Sequence, residues 1–261
     1  MDYALWGQRE LEECVSKISV AFLEENICEL NLNDALNQNR LGDELIDGFL
    51  AQLRALSQET SLKVLIITGC DDVFCGGGSL ETLRKLSEKA REPIFFEIAD
   101  QMLGFPVPIV SAARGHAVGG GLLFAIYADL SVACETSRYS VNFTDMGFTP
   151  GMGTTTVLPA LVGYPFAAEM ILTAKFYKGR ELEGRGLFNY IVPADRVMPV
   201  ALDMARRMAE KPRHVLEMLK ETLVLPRRQA LHLARSHEQL MHQVCFSRPE
   251  GRSYIEESYI R

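Results

Sequence analysis

Residues 108–133 read PIVSAARGHAVGGGLLFAIYADLSVA, and this stretch decides the fold class. It opens at 109–113 on a short run of apolar and small residues that is typical of a buried strand. A glycine-rich loop at 115–121 leads into an almost entirely apolar helix predicted over 119–128. A second strand is predicted at 130–133. Two strands separated by one helix favour parallel pairing in an α/β sheet.

The same alternation extends along the chain in both directions. Further strands are predicted at 21–32 and at 64–68, where the sequence is VLIIT. The spacing of apolar residues predicts helices over 42–56, 79–90, 94–103, 200–209, 213–223 and 229–246. We therefore predict an α/β core over residues 1–196 and a C-terminal helical subdomain over residues 197–261.

Composition excludes several classes of protein. The 261 residues carry a net charge of −7, whereas nucleic-acid binding needs a basic footprint. No apolar run approaches the length of a membrane span, and no signal peptide is visible, so a cytoplasmic location is expected. The 6 cysteines show neither a CxxC pair nor zinc-like spacing to a histidine, which predicts free thiols and no metal site.

A second glycine-rich loop, FCGGGS at 74–79, follows the predicted strand VLIIT. Glycine lets a ligand approach the backbone closely, and the start of a helix offers N–H groups without intrahelical acceptors. Two such loops that converge would direct two N–H donors at one oxygen atom, as in an oxyanion hole. Tight turns or phosphate cradles stay open as alternatives, although neither loop matches GxxxxGK[ST].

Three segments in order resemble the crotonase (enoyl-CoA hydratase/isomerase) superfamily. They run from ELNLNDALN to VLIITGCDDVFCGGGS, then through residues 108–133, then through MGFTPGMGTTTVLPALVG. The resemblance implies a spiral of repeated ββα units, a C-terminal helical region that forms a homotrimer, and a thioester-binding site. It also implies that the N–H groups of Gly78 and Gly120 are the oxyanion donors.

The chain departs from the hydratases of this family at both catalytic glutamates. Leu123 and Phe143 stand at the two positions. Adding water to a double bond requires acid and base groups that hold the water, so hydration is not expected. Together with Cys75 and Thr82, these two apolar residues are predicted to line the substrate pocket.

The segments GFTPGMG and MHQVCFSRPE resemble one branch of the superfamily, the decarboxylases of polyketide β-branching. That resemblance implies a 3-methylglutaconyl group tethered by phosphopantetheine to an acyl carrier protein and a 3-methylcrotonyl-type product. No cofactor or metal is expected. Decarboxylation needs no strong base, because the departing carboxylate leaves its electrons to an enolate that the oxyanion hole stabilises.

The branch also implies a catalytic lysine and a catalytic histidine. The histidine corresponds to His242, which would donate a proton near neutral pH. Ungapped counting puts Leu86 at the lysine position, so Lys85 is the first candidate for the residue that holds the departing carboxylate, with Lys89 as the alternative. Thr82 replaces a tyrosine of that branch.

Two other functions stay open at this stage. One is an acyl-thioester isomerase or dehydratase with Asp145 or Glu81 as the base; the other is an inactive crotonase-fold binding subunit. A carrier protein is acidic as a class, and basic residues of the C-terminal part would attract it. These residues are Arg206, Arg207, Lys211, Arg213, Arg227 and Arg228.

Overall fold

The computed structural model describes residues 17–87, 94–248 and 255. Within those residues the strands are β1 (Ile18–Glu24), β2 (Ile27–Leu32), β3 (Val64–Thr68), β4 (Val73–Cys75), β5 (Ile109–Ala113), β6 (His116–Val118), β7 (Leu130–Cys134), β8 (Arg138–Ser140), β9 (Tyr177–Lys178) and β10 (Tyr190–Val192). The α-helices there are α1 (Asp43–Ser57), α2 (Leu80–Ser87), α3 (Ile94–Gly104), α4 (Gly120–Ile126), α5 (Thr154–Val162), α6 (Tyr164–Thr173), α7 (Val197–Ala209), α8 (Arg213–Leu223) and α9 (Leu225–Ser247).

The strands form two sheets, and from β3 to β8 the chain contributes strands to the two sheets in alternation. The larger sheet has the order β1-β2-β3-β5-β7-β10, and the smaller has the order β4-β6-β8-β9. Neighbouring strands are parallel except for β1 with β2 and β8 with β9. The pairs β3–β4, β5–β6 and β7–β8 each give one strand to each sheet before a helix follows. This repeated ββα arrangement confirms the predicted fold class.

Sequence patterns located the long elements well and the short ones poorly. The strands predicted at 64–68 and 109–113 and the helix predicted at 213–223 are confirmed with the same bounds. The strand-like segment 21–32 is instead a hairpin of β1 and β2. The smaller sheet was not predicted, because strands of two or three residues are too short to show a period.

The larger sheet is buried on both faces. In β3, Leu65 and Ile67 belong to the main core, while Val64 and Ile66 belong to a second cluster on the opposite face. Alternation of side chains along a strand produces this division. Helix α7 covers the second face, and it begins at the predicted boundary between residues 196 and 197. The division into two domains at that point stays a prediction.

Two features of this fold position the site. Strands β4 and β6 are parallel neighbours, so the loops that follow them lie side by side at the same edge of the smaller sheet. Helix α9 packs against α2, α3 and α5, so the buried face of α9 lies next to these loops.

Candidate active site

The two glycine loops are packed backbone to backbone, and only glycine permits this. A Cβ atom on Gly121 would lie 2.0 Å from the carbonyl oxygen of Cys75. Gly77 has a φ of +82°, and a Cβ atom there would lie 2.6 Å from the oxygen of Val118 and 3.6 Å from the nitrogen of Gly120. Any larger residue would push the loops apart. The predicted convergence of the two loops is therefore observed.

A third segment holds the first loop in place. The N–H of Leu41 donates to Gly77 (2.7 Å), and the N–H of Gly76 donates to Gln38 (3.0 Å). Asn39 is fully buried between these contacts. Its amide donates to the carbonyl oxygens of Leu32, Val73 and Phe74, at 3.1, 3.2 and 3.1 Å. Asn39 is not predictable from the sequence as part of the site, because polar residues are normally exposed and nothing local marks this one as buried.

A small cavity of about 40 Å³ lies where the loops meet α9. Its lining residues are Gly78, Leu83, Leu86, Phe95, Gly120, Phe143, Phe148, Gly151, Met152 and His242. A more open cleft of about 310 Å³ shares Gly78, Gly120 and Phe143 with this cavity and extends outward to Gln38 and Arg40. Among the described residues, no carboxylate lines either space.

Among the described residues that line the cavity, His242 is the titratable one, and it is only 8% exposed. Its ring packs against Phe148 and Phe246, with centroids 6.0 and 5.5 Å away. Its Nε2 lies 2.8 Å from the carbonyl oxygen of Thr149. A carbonyl oxygen only accepts hydrogen bonds, so Nε2 carries a proton, and Nδ1 is the nitrogen that gains and loses one.

Burial lowers the pKa of His242 below its usual value, because the charged imidazolium is poorly solvated there. Hydrogen bonds to the carbonyl groups of Thr149 and Pro150 oppose this shift. The net effect is an imidazole that is mostly neutral at neutral pH and, once protonated, is a stronger acid than a solvated histidine.

The two positions at which the family resemblance predicts catalytic glutamates have different surroundings. Phe143 lines the cavity as predicted, with its ring edge-on to Phe148 at 5.8 Å. Leu123 is fully buried in the main core and is not among the cavity-lining residues. The alternative bases are also elsewhere: Asp145 is exposed in a short 3-10 turn, and Glu81 is exposed on α2.

The structure does not bring Lys85 to the cavity. Its ammonium group pairs with Asp43 at 2.8 Å and with Glu81 at 2.7 Å, and the bond to Asp43 is the main reason why its pKa is raised. Leu86, one residue further along the helix, lines the cavity instead. Lys89 lies outside the described residues.

Cys75 and Thr82 also do not line the cavity. The Cys75 thiol is fully buried, donates to the carbonyl oxygen of Asn39 (3.1 Å), and has a pKa raised to about 12 by burial. Cys75 is thus an inert core thiol. Thr82 is buried on α2 with its hydroxyl 2.7 Å from that of Ser79. Both residues face protein groups, which corrects the predicted pocket lining.

The basic residues predicted to attract a carrier protein are largely engaged. Arg206, Arg207, Lys211 and Arg213 form ion pairs with Glu24, Asp203, Glu210 and Glu217. Arg227 and Arg228 donate to backbone carbonyl groups of the core. Paired charges produce a weaker external field than free ones, so this group of residues gives little support for a docking patch.

The part of the chain that the structure describes lacks two other kinds of feature. It contains no group of three or more His, Cys, Asp or Glu side chains that could hold a metal ion. None of its helices is long and apolar enough to cross a membrane. The described cysteines, which exclude Cys14, are free thiols.

Comparison with known proteins assigns this architecture to a family. A family model described as "Enoyl-CoA hydratase/isomerase" matches residues 23–259. The chain belongs to that family, which confirms the resemblance noted from its motifs.

Within the family, the chain is similar to decarboxylases of polyketide β-branching. It is 32% identical over 244 residues to the bacillaene synthase decarboxylase PksI of Bacillus subtilis, covering 94% of this chain and 98% of that protein. A structure from "a dehydratase/decarboxylase enzyme couple involved in polyketide beta-branching" superposes with a TM-score of 0.90 at 32% identity, covering 94% of this chain and 100% of that one. The ECH2 decarboxylase domain of CurF from Lyngbya majuscula follows with a TM-score of 0.87 at 30% identity, covering 93% and 99%.

Proposed function

We propose that this protein decarboxylates a 3-methylglutaconyl-type thioester carried by an acyl carrier protein. The observation that carries the proposal is a cavity that combines two glycine loops with a buried imidazole and has no carboxylate among its described lining residues. The similarity to decarboxylases supports the choice of reaction. The substrate is taken from the branch that the motifs resemble.

The first step breaks the bond between the substrate's carboxylate and its neighbouring carbon. CO₂ leaves, and the electron pair of that bond is delocalised through the double bond onto the thioester oxygen, which gives a dienolate. The N–H groups of Gly78 and Gly120 donate to this oxygen. Donors that are already fixed in position stabilise developing charge without any cost of reorganisation, and this is usually the largest catalytic term.

The second step places a proton on carbon. His242 supplies it from Nδ1, since Nε2 is held by Thr149. The dienolate then becomes a neutral thioester, and the imidazole regains a proton from solvent through the open cleft. Protonation at the γ carbon gives the 3-methylcrotonyl-type product.

The apolar wall contributes to the same reaction. Leu86, Phe143 and Phe148 line the cavity beside the glycine loops. A carboxylate between these side chains loses its hydration, whereas the charge of the transition state is spread over the conjugated system. Two phenylalanine rings and a leucine therefore favour loss of CO₂ over retention of the carboxylate.

A lysine contribution stays a prediction. Lys85 would have to leave both Asp43 and Glu81 to meet the substrate. Comparing Lys85→Ala with Lys89→Ala decides between the two candidates. The isomerase and dehydratase alternative receives no support, because neither Asp145 nor Glu81 lines the cavity.

We further propose a homotrimer. Helices α8 and α9 expose large apolar side chains that another subunit would cover: Met218, Leu219, Leu223, Leu225, Leu233, Leu240 and Val244. Exposed apolar groups on two adjoining helices are typical of a protein–protein interface. Light scattering of the purified protein measures its mass directly; a monomer at micromolar concentration contradicts the proposal.

Intact-mass spectrometry tests the reaction. Acyl carrier protein loaded with 3-methylglutaconyl is incubated with the enzyme, and the loaded carrier is expected to lose the mass of one CO₂. The same reaction in D₂O, followed by NMR of the product, locates the new proton at the α or the γ carbon. An unchanged mass with a carrier shown to bind contradicts decarboxylation and favours an inactive binding subunit.

A further inference from the structure

Glu238 is a buried carboxylate that the proposed reaction does not use. It lies on α9 and is fully buried. Its Oε2 accepts the N–H of Gly153 at 2.7 Å. Its Oε1 accepts both the N–H of Thr155 at 2.9 Å and the hydroxyl of that residue at 2.7 Å. Among the described residues no basic side chain forms an ion pair with it. All three bonds therefore go to one turn, residues 149–155.

That turn has an unfavourable backbone. Met152 has a φ of +58° and Gly153 a φ of +78°, so two successive residues occupy the left-handed region. A residue with a Cβ atom seldom adopts this conformation and needs external contacts to keep it. Tyr127 supplies one contact by donating to the carbonyl of Met152. Glu238 supplies three more, by accepting the two N–H groups and the hydroxyl described above.

The beginning of the same turn contacts His242. Thr149 accepts the hydrogen bond from Nε2, and a Cβ atom on Gly151 would lie 3.0 Å from Cε1 of the imidazole. Glu238 and His242 are four residues apart on α9, so their side chains lie on one face of the helix, a turn apart. Helix α9 thus holds the 149–155 turn at two points. At one, Glu238 accepts N–H groups of the turn; at the other, His242 donates to a carbonyl oxygen of the turn.

We propose that Glu238 is a positioning residue for His242. Its carboxylate fixes the 149–155 turn, the turn presents the Thr149 carbonyl to Nε2, and this bond leaves Nδ1 as the nitrogen that delivers the proton. The expected effect on kcat rests on the proposed decarboxylation, whereas the expected effect on the tautomer of His242 does not.

The same contacts also fit a simpler role. Gly153 is the N-cap of α5 and has no side chain of its own to cap the helix, so Glu238 also caps α5 from another helix. Capping alone changes stability and leaves the imidazole unaffected. The two roles therefore differ in what they predict for the tautomer of His242.

The test uses Glu238→Gln in the full-length protein. A glutamine has one acceptor oxygen where glutamate has two, so its NH₂ group must face the N–H of either Gly153 or Thr155, and at least one of the three bonds is lost. Glu183→Gln, which removes an exposed carboxylate from a surface turn, is the matched control. Thr155→Val removes only the hydroxyl bond, and Thr155→Ser restores a hydroxyl.

Two quantities are measured on folded protein. Nitrogen-15 NMR of histidine-labelled enzyme, with the His242 signal assigned by its absence from His242→Gln, reports which ring nitrogen carries the proton. Decarboxylation of the loaded carrier gives kcat and KM. Glu238→Gln is expected to replace the Nε2–H tautomer by a mixture and to lower kcat about 100-fold, the cost of roughly 1 Å of misplacement, with KM unchanged. Thr155→Val should change the tautomer ratio of His242 and kcat in the same direction but by less, and Thr155→Ser should bring both back toward the wild-type values.

An unchanged tautomer and an unchanged kcat in folded Glu238→Gln overturn the proposal and leave Glu238 as a cap of α5. If that variant does not fold, Thr155→Val decides in the same way. A wild-type enzyme that releases no CO₂ refutes the proposed function, whereas the tautomer measurement still decides whether Glu238 positions the imidazole.

Discussion

Replacing His242 by glutamine distinguishes its role as a proton donor to the substrate from its hydrogen bond to Thr149. The side-chain amide of glutamine donates to the Thr149 carbonyl much as Nε2 does, but it has no proton to transfer near neutral pH. Phenylalanine at the same position keeps an aromatic ring beside Phe148 and Phe246 and removes both functions. The pair of variants therefore distinguishes chemistry from packing.

The magnitudes follow from these contacts. General acid catalysis contributes about 10²–10⁴-fold, so both variants should lose roughly 3–5 kcal/mol of transition-state stabilisation. In His242→Phe the partly buried Thr149 carbonyl has lost its donor, which should lower the free energy of unfolding by about 1 kcal/mol, the lower end of the range for a buried group. His242→Gln should lose less, because the donor remains.

Single-turnover decay of the loaded carrier, followed by intact mass, gives the rates, and urea unfolding gives the stabilities. We expect equal rate losses and unequal stability losses. The reasoning is refuted if His242→Gln keeps the wild-type rate, because no other titratable group lines the cavity within the described residues. Equal stability losses in the two variants would show that the bond to Thr149 contributes nothing.

The remaining predictions concern pH, packing and the lysine. Because burial lowers the pKa of His242 in the folded protein, its contribution to stability is complete above the unfolded pKa and is lost as the pH falls through the folded pKa. Urea unfolding between pH 7 and pH 5 should therefore show a steeper loss for wild type than for His242→Gln; equal slopes would contradict this. Gly121→Ala, whose Cβ atom would lie 2.0 Å from the carbonyl of Cys75, should cost about 3 kcal/mol or more in the same assay. Lys85→Ala should leave the decarboxylation rate nearly unchanged, since the ammonium group is bonded outside the cavity, and a large loss would restore Lys85 as the catalytic lysine. Lys89→Ala in the same rate assay should give the larger loss of the two if a lysine takes part.

Local sequence predicted the parts of the site that depend on local backbone. The glycine loops were found because a run of glycines directly after a strand indicates a backbone that another group approaches closely, and the histidine was found from the motif around it. The lysine position was not settled by counting residues. One residue rotates a helix by about 100°, so Leu86 faces the cavity while Lys85 faces Asp43.

Buried polar residues were the larger omission. Asn39 and Glu238 are fully buried, and each holds a loop of the site from a distant part of the chain. Asparagine and glutamate are normally exposed, so composition and periodicity favour a solvated position for both. Only the folded structure shows the N–H and carbonyl groups that satisfy them. Cys75 was misplaced for a related reason, since the last residue of a three-residue strand gives no period from which to infer its side.

Phe143, at a position where the family resemblance predicts a glutamate, argues against simple decay of a hydratase. Its ring is edge-on to Phe148, which in turn packs against His242, and Phe246 closes the other side of the imidazole. A glutamate at Phe143 would place a carboxylate beside this group of rings and stabilise the charged imidazolium, which would make it a weaker acid. The phenylalanine instead keeps the surroundings apolar, and that lowers the pKa of His242. Losing the carboxylate and strengthening the acid are thus one change. It removes a group that could hold a water molecule for hydration, and it leaves an imidazole whose protonated form gives up its proton readily.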